Sequence, residues 1–239
     1  MLAVLLTISI FGYLWLVGAS IGFACVRRRW LLQTLLLAPS IGFSAVITTL
    51  VSANYLGLPI EDFGVSLILA FGVLSVVSLW VFRPTFPWRQ YAPYAAILAV
   101  AFLLNSIPFV LFGFNWVSFS NGDATTYALN AYRLMHYGYW SLPPASDLLL
   151  NSIPSSLMYY HYCQFPGGFY HGFDVVLATV SQLTGLNPYQ VYMPVMGAGL
   201  VSLTSATGTL LLYRGVPRSA PIVACLAAGF SSQATLGFV

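Results

Sequence analysis

The sequence predicts an all-α fold, a polytopic transmembrane bundle of about seven hydrophobic segments with an external loop carrying an amphipathic juxtamembrane helix. Three observations predict it. Of 239 residues, 59% are apolar and only 5% are charged, whereas a soluble domain carries about 25% charged residues. The apolar residues fall in runs of roughly 20, the length that crosses the hydrocarbon core. The eight basic residues are all arginine and stand between those runs. The net charge of +3 therefore sets topology and does not point to nucleic acid as a partner.

The first run, residues 2–26, ends at Arg27, Arg28 and Arg29. It has no positive leader and no small-residue cleavage site, and it exceeds a signal-peptide core, so it reads as a retained helix. The second covers residues 31–55 and carries Pro39 and Gly42, which predict a kink. A short connection with Pro59, Glu61 and Asp62 leads to the third, residues 63–82. Arg83, Pro84, Pro87 and Arg89 break the chain before the fourth, residues 91–112. A polar loop over residues 114–167 follows, then apolar segments at 168–186, 189–213 and 219–239. The chain thus divides into a four-helix region (1–113), an external loop (114–167) and three further segments (168–239).

The arginines at 27–29 and at 83 and 89 mark cytoplasmic ends. The N-terminus, the Glu61–Asp62 turn and the long loop then lie outside, in an integral membrane protein expected in a bacterial inner membrane. Segment 168–186 reads as a true span with a polar end at the interface, or else as a partly re-entrant helix. The apolar run up to Val239 has no polar tail and reads as the end of an N-terminal fragment or of a truncated relative. Cys25 and Cys225 lie in apolar runs and Cys163 in the loop, a pattern that predicts neither a disulfide framework nor a zinc site.

The loop opens with Ser120-Asn121-Gly122-Asp123. Beyond it Tyr127, Ala128, Ala131, Leu134 and Met135 recur at helical spacing, with Thr126, Asn130, Arg133 and Tyr137 on the other face. Gly138 would end this helix, which suits the membrane surface. Asp123 stands at its N-cap. There a carboxylate can simply accept backbone N–H groups, or it can act as a base or cation ligand toward a substrate from lipid. The later stretch from Met158 to His171 is rich in tyrosine and also holds His161, Gln164, Phe165 and Phe169. An interfacial aromatic belt explains most of it, while stacking on a sugar and phosphate contact by His171 are the functional alternative. His161 and His171 do not have a compact chelate spacing. His171 and Asp174 are three residues apart at the start of an apolar segment, either as a solvated helix-end pair or as functional groups. Asp147, beside Pro143 and Pro144, reads as a solvated turn residue.

These residues bring a resemblance. Asn121-Gly122-Asp123 followed by Tyr127, Ala131, Leu134 and Gly138 resembles the first external loop of the GT-C superfamily of membrane glycosyltransferases. Gln164-Phe165-Pro166-Gly167-Gly168-Phe169-Tyr170-His171 is similar to that family's Tyr-Pro-Pro-Gly-x-His segment. Leu177, Leu183, Thr184-Gly185 and Pro188 resemble the short helix that follows it, and Ala38-Pro39-Ser40-Ile41-Gly42 a helix of some bacterial members. The order and spacing of the motifs over residues 30–215 carry the likeness.

The resemblance implies transfer of a sugar from a polyprenyl-phosphate donor to an acceptor on the external face. Asp123 takes the catalytic carboxylate position, with a divalent cation as an open possibility, and His171 lies near the donor phosphate. Tyr127, Arg133, His161, Gln164, His171 and Asp174 form the expected substrate-binding set. Partners would be the donor lipid, membrane lipids and other membrane proteins. Two alternatives from other classes stand beside this. One is a non-catalytic module that binds lipid or joins a cell-envelope complex. The other is a transporter using His171 and Asp174 as a proton relay.

Overall fold

The computed structural model describes residues 1–26, 30–83, 85–116, 124–141, 171–212 and 219–235. Its elements are helices: α1 (Leu2–Cys25), α2 (Leu31–Tyr55), α3 (Ile60–Phe82), α4 (Trp88–Phe112) with a 3₁₀ turn at Gly113–Asn115, α5 (Ala124–His136), α6 (His171–Thr184), α7 (Pro188–Leu212) and α8 (Ser219–Thr235). Four of them, α1 to α4, are long and apolar enough to cross a membrane. On α3, Leu74, Val77, Trp80 and Val81 stand exposed together. So large an apolar face on one helix needs lipid or protein against it.

The helices begin and end where local chemistry allows. α3 starts three residues before the expected boundary, which places Glu61 and Asp62 in its first turn, where carboxylates suit the free N–H groups. Its end is marked by Arg83, whose φ of 41° is in the left-handed region. The Arg83 N–H closes on the Leu79 carbonyl at 3.0 Å, and its guanidinium sits 5.6 Å from the Trp80 ring centre. Helix α4 likewise starts early, at Trp88. Pro39 lies inside a continuous α2 and does not end it. Helix α6 has 14 residues, about 21 Å of rise, and is not among the four of span length.

Two units emerge. The first comprises residues 1–45, 70–120 and 193–239. Leu35, Leu36, Tyr91, Tyr94, Ile97 and Cys225 form its core cluster, with Trp15 and Phe86 packed against it. Helices α1 and α2 approach through glycine. A Cβ at Gly18 would run into the Ala38 carbonyl, and one at Gly42 into the Leu14 carbonyl. Backbones meet this closely only over small residues. Pro39 has no N–H for the helix and crowds the carbonyl one turn back. Beside that break, the Ser205 hydroxyl of α7 donates to the Leu36 carbonyl at 2.6 Å.

The second unit comprises residues 46–69 and 121–192. Its described parts are the end of α2, the start of α3, α5 and its following turn, α6 and the start of α7. Helix α5 packs along α6.

Candidate functional site

Asn54, in the last turn of α2, is fully buried and organises the second unit. Its side-chain nitrogen stands 3.0 Å from the Leu58 carbonyl, 3.4 Å from that of Leu134 and 3.3 Å from that of Tyr137. The last carbonyls of a helix lack partners within it, so this one amide closes the C-terminal end of α5. The Tyr139 N–H donates back to the Asn54 carbonyl at 3.1 Å. Close approach here requires glycine, since a Cβ on Gly138 would meet the Gly57 backbone, itself in a turn with φ of 94°.

With α5 so fixed, Asn130 and Arg133 face inward. Asn130 donates its amide to Asp174 Oδ2 on α6. Arg133 is 1% exposed, and its Nη2 donates to the Tyr139 carbonyl at 2.5 Å and reaches the Ser141 carbonyl at 3.5 Å. Of the face of α5 expected to be polar, Asn130 and Arg133 are thus buried together with Ala131 and Leu134, while Thr126 and Tyr137 are half-buried. The reason is tertiary: α6 supplies a carboxyl for Asn130, and the chain after Gly138 turns back to offer carbonyls to Arg133.

Asp174 is 1% exposed. That replaces the solvated helix-end reading with a buried one. Its Oδ1 has no hydrogen-bond partner among the described residues. A carboxyl with one oxygen engaged by Asn130 keeps acceptor capacity on the other. It also ties α6 to α5.

Aromatic rings stand next to this pair. Tyr127 lies 5.7 Å from Phe173 and 6.1 Å from Tyr192 between ring centres, and Phe173 lies 5.5 Å from Tyr192. Tyr127 is one turn before Asn130, and Phe173 is the neighbour of Asp174. At the C-terminal end of α5, Tyr139 stacks on Tyr55 at 3.9 Å, with Trp140 edge-on to both. His136 Nδ1 pairs with Glu61 Oε2 at 2.8 Å on the more exposed rim, and Gln182 donates to the Glu61 carbonyl at 2.6 Å.

Of the expected set, Tyr127, Arg133 and Asp174 fall in this unit's described parts. Arg133 donates through Nη2 to the Tyr139 and Ser141 carbonyls. Asp123, His161 and Gln164 lie outside the described residues, and His171 is placed only as the first residue of α6. Among the described residues, no group of three His, Cys, Asp or Glu side chains could hold a metal ion. Sequence reasoning passed over Asn54, Asn130 as a partner of Asp174, Phe173 and Tyr192. Asn130 had one signal, an amide on the face opposite the apolar stripe. Comparison with protein-family models, with curated proteins and with solved structures finds no match in any of the three.

Proposed function

We propose that this chain is a membrane-embedded sugar transferase of the GT-C type, taking its donor from polyprenyl phosphate on the external face of a bacterial inner membrane. One observation carries the reading. The short amphipathic helix that begins one residue after Asp123 is locked onto a second short helix by the buried Asn130–Asp174 bond. Such a lock holds the N-terminal end of α5 in a fixed place, as a catalytic carboxylate there requires. The reading includes seven membrane segments, with α7, α8 and the segment containing α6 joining α1 to α4, and an external loop at 114–167.

In the reaction, the acceptor oxygen attacks the anomeric carbon and the bond from that carbon to the phosphate oxygen breaks. Its electron pair leaves with polyprenyl phosphate, and the hydroxyl proton passes to Asp123. A divalent cation at Asp123 would stabilise the leaving phosphate. His161, Gln164 and His171 serve that phosphate, and the Tyr127 ring faces the sugar. Arg133 and Asp174 hold the frame.

The test is transfer from a panel of radiolabelled polyprenyl-phosphate sugars in membranes containing the full chain. Asp123→Asn should lower transfer by about 100-fold or more at equal expression. Asp174→Asn, which keeps an acceptor for Asn130, should cost about tenfold or less. Equal transfer by wild type and Asp123→Asn would return Asp123 to helix capping. Absence of transfer in the wild type would favour a non-catalytic lipid-binding module.

A further inference from the structure

The first unit contains a cavity of its own. It has a volume of about 670 Å³, within the range of roughly 300–1,000 Å³ found for small-molecule sites. The first residues of α2, the first turns of α4, the last residue of α7 and the first turn of α8 line it. Since α2 and α4 are of span length, the cavity lies at a membrane-interface end of the helices, where headgroups sit.

Its lining is two-sided in chemistry. Arg89, Gln33 and Gln90 supply polar groups, while Leu32, Leu212 and Ile222 supply an apolar wall. Arg89 and Gln90 are exposed to their surroundings. The charge balance of this unit is one-sided. Among the described residues, Glu61, Asp62 and Asp174 fall within 46–69 or 121–192, and Arg83 and Arg89 fall in the first unit. No described carboxylate of its own unit neutralises Arg89, which takes part in no ion pair among the described residues.

We propose that this cavity binds one anionic phospholipid, with its phosphate on Arg89 and the two glutamines and the start of an acyl chain along Leu32, Leu212 and Ile222. A guanidinium offers a phosphate two parallel donors. The half-buried apolar wall, which packs against the core cluster, would be idle for a soluble phosphate and useful for a lipid tail. This inference stands independently of the transferase reading.

The test uses the full chain in nanodiscs of phosphatidylcholine with a minor fraction of phosphatidylglycerol, with retained lipid counted by native mass spectrometry. The wild type should retain phosphatidylglycerol over phosphatidylcholine by about tenfold beyond the supplied ratio, the factor that about 1.4 kcal/mol gives. Arg89→Gln should abolish the preference, and Arg83→Gln, outside the cavity lining, should keep it. Both side chains are exposed, so neither variant threatens folding. An unchanged preference in Arg89→Gln overturns the site. Equal losses in both variants show diffuse surface attraction and also overturn it, as does a wild type without preference. Displacement of the retained lipid by inorganic phosphate alone would overturn the lipid and leave a phosphate site.

Discussion

Replacing Asp174 by asparagine isolates the effect of one buried carboxyl. The two side chains have nearly the same shape, and the amide oxygen can still accept from Asn130, so the contact between α5 and α6 survives. Asp174→Leu is close in size but offers no acceptor, so the buried Asn130 amide loses its acceptor on α6. Removing one side of a buried hydrogen bond costs about 1–3 kcal/mol. For a chain of this length each kcal/mol shifts the melting temperature by about 2–4 °C, so Asp174→Leu should melt roughly 2–12 °C below Asp174→Asn. The assay is thermal unfolding of both variants and the wild type in one detergent at one pH. Equal melting temperatures for the leucine and asparagine variants would refute the argument, because the Asn130–Asp174 bond would then contribute nothing to the contact between α5 and α6.

Other expectations rest on packing and capping. Asn54→Ala strips the donor from three carbonyls around a fully buried site and should cost about 2–4 kcal/mol, read as a lower melting temperature. A change below about 0.5 kcal/mol would show that water replaces the amide. Gly42→Ala places a methyl group against the Leu14 carbonyl and should destabilise by about 1–3 kcal/mol. Gly12→Ala, where nothing lies within 4 Å of the added carbon, should instead stabilise by up to about 1 kcal/mol through helix propensity. If both alanines act alike, the α1–α2 contact is not where the structure puts it.

The sequence made the span-length helices legible because lipid imposes a single rule, an apolar run of fixed length, and α1 to α4 obey it. Boundaries were harder. Glu61 and Asp62 looked like connection residues, yet a carboxylate is also a good first-turn residue, and α3 absorbs both. Pro39 does not terminate α2, because residues on both sides remain apolar and a serine from another helix supports a nearby carbonyl. In the candidate site, the amphipathic character of α5 was visible but its direction was not. Arginine and asparagine opposite an apolar stripe ordinarily face water, and here α6 takes up Asn130 and the chain after Gly138 takes up Arg133. The Asn130–Asp174 pair joins residues 44 apart in sequence, so no local pattern could reveal it. Asn54 resembles any lone amide in a membrane helix until the end of α5 is seen against it. Asp123, His161 and Gln164 are known from the sequence alone.

The glycine-mediated contact between α1 and α2 bears on biogenesis. Leu14, Gly18, Gly22, Thr34, Ala38 and Gly42 lie within 29 consecutive residues, counting from 14 through 42, and every partner needed to close that contact comes from the same hairpin. Translation delivers it before α4, α7 or α8 exists. In lipid the gain comes from backbone proximity and dispersion, not from escape from water, so it is available as soon as the second helix enters the bilayer. A substitution that splays the hairpin, such as Gly42→Ala against the Leu14 carbonyl, should therefore register first as failed membrane insertion and lower protein yield.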